Sequence, residues 1–149
     1  MQFVIISMGI FLALLGLILN ENNAKYLLSG YNTASEEERK NFDIKGYLKL
    51  FRSFHLFLGG TILVFGLATY YLIDRDWSFF FIGIYPILAY IYFIYRGRFF
   101  YKENRDKSAK VGIYILGACL VLLIVLSFYG FSEDEMIIGE SSIEIEGMY

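Results

Sequence analysis

The sequence predicts an all-α integral membrane protein with four transmembrane helices, a short interfacial helix and a short β-like C-terminal tail. Three observations support this fold class. Of the 149 residues, 57% are hydrophobic and 19% aromatic, and the chain contains a single proline. The apolar residues are concentrated in four long runs, none of which contains Asp, Glu, Lys or Arg. A soluble domain would carry about a quarter charged residues and would not need such runs.

The four runs predict four spans, because a helix needs about 20 apolar residues to cross a hydrocarbon core of roughly 30 Å. The spans cover residues 2–19, 54–73, 77–95 and 111–131. They define a transmembrane domain over residues 1–131, followed by an acidic extramembrane tail over residues 132–149. The first run has no positive residue before it and no small-x-small site after it, so we interpret it as an uncleaved anchor.

The basic residues predict how the spans are oriented. The loops that join spans one to two and three to four each hold six of the 13 Lys and Arg residues, and only Arg75 lies on the other side. Loops rich in Lys and Arg stay in the cytoplasm. We therefore expect both basic loops to be cytoplasmic and the N- and C-termini to lie outside.

The first cytoplasmic loop contains two helix starts. Ser35 followed by Glu38 is a capping box, in which the hydroxyl and the carboxylate each accept a backbone N–H. Asp43 is an N-cap for a second helix that is expected to continue directly into the second span. The loop thus predicts a short interfacial helix before the span.

The same loop contains a recognisable motif. Its residues are Leu28, Ser29, Gly30, Tyr31, Asn32, Thr33, Ala34 and Ser35, followed by three glutamates and the pair Phe42 and Asp43. This pattern resembles a family of small bacterial membrane proteins, domain of unknown function 3784, which carries a GYNT-type turn after the first span. The resemblance covers about residues 1–100, and the fourth span and the acidic tail depart from it. It implies a bacterial origin and a location in the cytoplasmic (inner) membrane, but no activity.

The turn itself is a candidate recognition site, made of Gly30, Tyr31, Asn32 and Thr33. It would bind a lipid headgroup or a loop of a partner at the membrane surface. The alternative is a structural elbow that folds the segment back onto the helix ends. We favour the elbow, because glycine, asparagine and threonine all have adequate backbone roles in a turn.

A second candidate polar site lies at the membrane interface and consists of His55 and Arg52. His55 would act there as a titrating gate or sensor. The favoured alternative is an imidazole bonded to a headgroup or to a backbone carbonyl, since no carboxylate stands one helical turn away. With one histidine and one cysteine (Cys119), no His/Cys cluster can form a zinc or haem site and no Cys–His pair is spaced for catalysis. No catalytic, cofactor-binding or metal-ligating residue is therefore predicted.

Two further features bear on partners. Gly9 and Ala13 form a small-xxx-small step that favours close packing among the spans, with homodimerisation as the alternative. The tail is acidic and reads as two short strands over residues 135–138 and 142–149, which predicts either pairing with another chain or the start of a truncated β-domain. Expected partners are membrane lipids and either a second copy or a membrane protein. Nucleic acid is not expected.

Three functions remain open at this point, and a non-enzymatic scaffold or accessory protein is favoured because the spans are uncharged. The second is a subunit of a small oligomeric transporter or channel. Its polar path would be lined by Tyr85, Tyr90, Thr61 and Thr69. The third is a lipid-modifying membrane enzyme, which would need a polar cavity near His55, Asn32 and Arg52.

Overall fold

The computed structural model describes residues 1–28, 31–32, 34–100 and 110–125 of the chain. Its helices are α1 (Gln2–Ile18), α2 (Ala24–Leu27), α3 (Glu36–Lys40), α4 (Ile44–Leu72), α5 (Arg75–Gly97) and α6 (Lys110–Val125), with a 3₁₀ turn over Arg98–Phe100 after α5. The described residues are mainly helical and contain no β-strand. The predicted β-like tail and the last residues of the predicted fourth span lie outside the described part.

Two of the helices, α4 and α5 extended by its 3₁₀ turn, are long and apolar enough to cross a membrane by length and composition. The helices α1 and α6 are apolar but shorter. Each of these four helices overlaps one of the four predicted spans. The length criterion is therefore met at two of the four, and the count of four spans stays a prediction.

The longest helix, α4, begins where its sequence predicts. Asp43 accepts a hydrogen bond from the backbone N–H of Gly46 at 3.0 Å, which is the expected N-cap. The helix then runs 29 residues without interruption. The predicted continuous helix from Asp43 through the second apolar run is confirmed, and its crossing of a membrane stays a prediction.

A tight turn joins α4 to α5 and makes them an antiparallel hairpin. The amides of Ile73 and Asp74 both donate to the carbonyl of Thr69, at 3.1 and 3.0 Å, and these bonds end α4. The carboxylate of Asp74 accepts from the amide of Asp76 at 2.7 Å and caps α5. With so short a turn, residues at similar distances from it along the two helices face each other.

The first helix packs antiparallel to α4 through small residues. A Cβ added at Gly59 would collide with the carbonyl oxygen of Gly9 and would lie 2.6 Å from the backbone nitrogen of Ala13. A Cβ added at Gly9 would lie 2.6 Å from Leu63 Cγ on α4. The predicted intramolecular use of Gly9 and Ala13 is therefore confirmed, since α4 occupies this face of α1.

The core lies where α1, α4 and α5 meet. Its buried side chains are Ile5, Leu12, Phe54, Leu58, Ile62, Ile82 and Phe93. The helix α4 packs against both α1 and α5, which makes it the central helix of the three. This arrangement places one end of the α4–α5 hairpin next to the loop that carries the GYNT-type motif.

Candidate functional site

The loop between α2 and α4 forms a bent segment, which we call the elbow and define as the described residues of 31–43. Its short helix α3 starts with the capping box that the sequence predicts. The amide of Glu38 donates to Ser35 Oγ at 3.2 Å, and the amide of Ser35 donates to the carboxylate of Glu38 at 2.8 Å. This prediction is confirmed, and it fixes the direction in which α3 leaves the turn.

Arg39 holds the turn of the elbow. Its Nε donates to the carbonyl of Tyr31 at 3.1 Å and its Nη2 donates to the carbonyl of Asn32 at 2.8 Å. The guanidinium also lies over the ring of Tyr31, 5.7 Å from the centroid. A planar guanidinium can bind two neighbouring carbonyls at once because its N–H groups have a fixed fork geometry. Arg39 was not among the residues that the sequence nominated.

Aromatic rings join the elbow to the hairpin. The ring of Tyr31 lies 5.5 Å from that of Phe42, and Phe42 lies 5.4 Å from Tyr47 on α4. Tyr47 in turn contacts Phe93 at 5.9 Å and Phe100 at 6.0 Å. Such ring pairs stabilise beyond their buried area. The elbow therefore packs against α4, and Tyr47 connects it to α5 and the 3₁₀ turn.

Two backbone features reinforce this junction. The amide of Asp43 donates to the carbonyl of Phe100 at 3.0 Å and links the start of α4 to the end of α5. A Cβ at Gly46 would lie 2.6 Å from Phe100 Cε1, so the glycine leaves room for that ring. Glycine costs roughly 1 kcal/mol in a helix interior. The close approach of Phe100 explains why a glycine occupies position 46 despite its lower helix propensity.

The four residues of the predicted recognition turn are only partly described. Tyr31 is half-buried and Asn32 is exposed, while Gly30 and Thr33 lie outside the described residues. The carbonyls of Tyr31 and Asn32 are both bound by Arg39. The side chain of Asn32 faces solvent at this end of the molecule. The structure thus gives the turn a structural anchor, and its role in recognition stays a prediction.

His55 lies inside the hairpin and is only 2% exposed. Its Nδ1 lies 2.8 Å from the carbonyl of Phe51, and its Nε2 lies 3.1 Å from the hydroxyl of Tyr90. Because a carbonyl can only accept, Nδ1 carries the proton; when the ring is neutral, Nε2 accepts from the Tyr90 hydroxyl. The bond to Phe51 is the backbone carbonyl contact that the favoured interpretation of His55 expects.

The structure does not join His55 to the other polar residues with which the sequence grouped it. Arg52 is exposed on α4, whereas His55 is buried and both of its ring nitrogens are occupied. Asn32 belongs to the elbow, which the rings of Phe42 and Tyr47 connect to the hairpin. No hydrogen bond among the described residues links these three side chains.

Three polar contacts run along the α4–α5 interface and form what we call the polar seam. His55 contacts Tyr90 as described above, and Thr61 Oγ1 lies 2.8 Å from the hydroxyl of Tyr85. Near the turn, the hydroxyl of Ser78 donates to the carbonyl of Gly66 at 3.1 Å.

The remaining hydroxyl that the sequence assigned to a polar path is also bonded within its own helix. Thr69 donates to the carbonyls of Phe65 and Gly66, at 2.9 and 3.0 Å. Among the residues described, no buried side-chain oxygen or nitrogen lacks a hydrogen-bond partner. Internal hydrogen bonds of this kind hold apolar helices together where water is scarce.

The region that contains the elbow and the polar seam matches a known protein family. The family model described as Domain of unknown function (DUF3784) matches residues 6–101. The chain belongs to the DUF3784 family. The match extends from α1 past the 3₁₀ turn, so the elbow and the polar seam lie in the region characteristic of DUF3784, and α6 lies beyond it. The family resemblance read from the sequence is confirmed, and the bacterial origin stays a prediction. Neither the curated proteins nor the solved structures contain a match.

The Arg39→Lys substitution tests the anchoring of the elbow. Lysine keeps the charge but lacks the fork that binds two carbonyls, so the turn should open more often. We expect the amides of Tyr31 and Asn32 to exchange with deuterium about fivefold faster, which corresponds to a loss of about 1 kcal/mol for partly solvated bonds. The matched control is Arg52→Lys on the exposed face of α4, which should leave these amides unchanged. Equal exchange in wild type and Arg39→Lys would show that Arg39 does not hold the turn.

Proposed function

We propose that this DUF3784 chain is a non-enzymatic membrane anchor or accessory protein whose helices hold the elbow at one membrane surface for a partner. The observation that carries this proposal is the polar seam. Its hydroxyl groups bond to one another, to His55 or to backbone carbonyls. Polar groups that are satisfied internally stabilise a fixed helix pair and leave none free to conduct a solute.

The placement in the membrane is part of the proposal. The helices α4 and α5 cross the bilayer, α1 and α6 supply two further spans, and the loops rich in Lys and Arg face the cytoplasm. The elbow then lies on the cytoplasmic side of the inner membrane and both termini lie outside. The partner would be a second copy or another membrane protein, and the surrounding lipids also contact the chain.

The transporter or channel subunit is the second candidate. It is favoured by the convergence of Tyr85, Tyr90 and Thr61 on one interface, as a polar path requires. In this structure, however, those hydroxyls already form hydrogen bonds within the hairpin. A lipid-modifying enzyme has less support, because His55 has no ring nitrogen left for a substrate in the described arrangement.

Cysteine accessibility separates these functions and also tests the orientation. Single cysteines would be placed in a Cys119→Ala background by Arg75→Cys in the α4–α5 turn, Glu37→Cys in the elbow and Tyr85→Cys in the polar seam. They would be treated with a membrane-impermeant thiol reagent before and after permeabilisation. We expect Arg75→Cys to label on intact cells, Glu37→Cys to label only in permeabilised cells, and Tyr85→Cys to label only after denaturation.

Two results would contradict the proposal. Labelling of Tyr85→Cys in the folded, permeabilised state would show that water reaches the polar seam, which supports the transporter. Labelling of Glu37→Cys on intact cells would invert the orientation and would place the elbow outside the cell.

A further inference from the structure

We propose that one face of α4 binds an anionic phospholipid, with its phosphate on Lys45, Lys49 and Arg52 and an acyl chain along the helix below them. The inference rests on the membrane placement given under Proposed function. It concerns a surface that neither the elbow nor the polar seam includes.

The three basic residues form a stripe on one face of α4. They follow one another at spacings of four and three residues, which stacks side chains along a helix, and all three are exposed. The helix α4 contains no acidic residue. The nearest carboxylates in the sequence are already used, since Asp43 caps α4 and Glu38 closes the capping box. None of the three forms an ion pair with another described residue, so within the described part of the chain their charge is available to an anion from outside.

The length of α4 places this stripe among lipid headgroups. Its 29 residues rise about 44 Å, compared with roughly 30 Å for the hydrocarbon core and 40–45 Å for the bilayer with its headgroups. All charges of α4 lie in its first nine residues, and the uncharged remainder, residues 53–72, rises about 30 Å. The uncharged part thus matches the hydrocarbon core, and the stripe from Lys45 to Arg52 lies in the headgroup layer.

Below the stripe, the same face of α4 offers a track for an acyl chain. Leu56, Gly60 and Val64 continue the helical spacing toward the bilayer centre, and Leu56 and Val64 are 41% and 65% exposed. A Cβ added at Gly60 would meet no atom within 4 Å. Packing among the described residues therefore does not require glycine at position 60, although glycine destabilises a helix interior relative to alanine.

An acyl chain lying on this face accounts for Gly60, because the missing side chain leaves a shallow indentation between two exposed apolar side chains. Because the basic residues lie directly above this indentation, its occupant should be a lipid with a negative headgroup rather than an uncharged helix of another protein. Each basic residue close to the membrane surface favours an anionic lipid by roughly fivefold. The stripe and the track together fit one molecule that has both an anionic head and an apolar chain.

The test uses the full chain in nanodiscs made of equal amounts of phosphatidylglycerol and phosphatidylcholine. The protein is released in native mass spectrometry and the ratio of the two retained lipids is measured. We expect wild type to retain phosphatidylglycerol at least about tenfold over phosphatidylcholine. The triple variant K45Q/K49Q/R52Q should lose most of this preference. The matched control K25Q/K40Q/R96Q, which removes the same charge from other cytoplasmic positions, should keep it.

A second variant tests the acyl track. Gly60→Leu leaves every charge in place and fills the indentation, so it should release the retained phosphatidylglycerol while the protein stays folded. Because it does not alter the charges, this variant still tests lipid binding to this face of α4 if K45Q/K49Q/R52Q fails to insert. Retention of phosphatidylglycerol by Gly60→Leu would overturn the track.

Other outcomes are equally clear. An equal loss in both triple variants would reduce the effect to general surface charge and would overturn the site. Displacement of the lipid by millimolar glycerol phosphate would show that the stripe binds a free phosphate group and would overturn the choice of a lipid. Failure of wild type to enter nanodiscs would refute the membrane placement, and so the proposed function, whereas entry without any lipid preference would refute only this inference.

Discussion

The Gly59→Ala substitution should destabilise the packing of α1 on α4, whereas Gly60→Ala should leave it intact. A Cβ at Gly59 would collide with the carbonyl oxygen of Gly9 and lie 2.6 Å from the backbone nitrogen of Ala13. Backbone atoms inside a helix cannot swing aside as the end of a side chain can. The same Cβ at Gly60 meets nothing within 4 Å, so the neighbouring position is a matched control.

The expected effects have opposite signs. Overpacking a close contact costs about 1–3 kcal/mol, and we expect the upper part of that range for Gly59→Ala because the contacts are with backbone. Gly60→Ala should gain up to about 1 kcal/mol from the better helix propensity of alanine. Reversible unfolding of the purified protein by SDS in mixed micelles measures both changes. Equal midpoints for the two variants would show that α1 does not approach α4 through Gly59.

The contact at Gly59 also bears on how the chain would associate. Gly9 and Ala13 suggested a homodimer as an alternative to packing within the chain, and α4 occupies that face of α1 in the structure. Any association with a second copy must then use another surface. The sequence showed that small residues would be packed closely, but it did not show against which helix.

Local features of the fold could be predicted because their causes are local. The capping box of Ser35 and Glu38 and the N-cap of Asp43 depend on residues within four positions of each other, and both are present. The hairpin of α4 and α5 followed from two apolar runs separated by a short charged turn. For the same reason, the uninterrupted course of α4 into its apolar part could be predicted.

The contacts of the candidate site could not be predicted so directly, because they depend on which residues meet across helices. His55 and Tyr90 were both considered, yet as members of different groups, and the structure bonds them to each other. A signal was available in the sequence, because His55 lies 19 residues before Asp74 and Tyr90 lies 16 residues after it, which places them at similar heights on the two helices of a hairpin. The two hydrogen bonds of Arg39 could not be predicted at all, since every residue has a backbone carbonyl and the sequence does not show which ones a side chain will bind.

The Phe93→Ala substitution should both destabilise the hairpin and loosen the elbow. Phe93 is 7% exposed, and its ring is stacked on Phe54 at 4.6 Å and lies 5.9 Å from Tyr47. Truncation of a buried phenylalanine costs about 3–5 kcal/mol. We expect about 3 kcal/mol, because the unfolded chain in micelles keeps apolar surroundings and loses mainly packing. The adjacent Tyr92→Ala, at a ring that is 57% exposed, is the matched control and should change stability little.

The effect on the elbow distinguishes a connected unit from two independent ones. Tyr47 packs against Phe93 on one side and Phe42 on the other, so a cavity at position 93 removes part of the support of the elbow. Deuterium exchange in the described residues of 31–43 should therefore rise in Phe93→Ala and stay unchanged in Tyr92→Ala. If Phe93→Ala destabilises the hairpin while exchange in the elbow is unaffected, contacts that do not depend on Phe93, such as those of Arg39, hold the elbow. The proposed anchor would then consist of a rigid hairpin and a surface segment that folds independently of it.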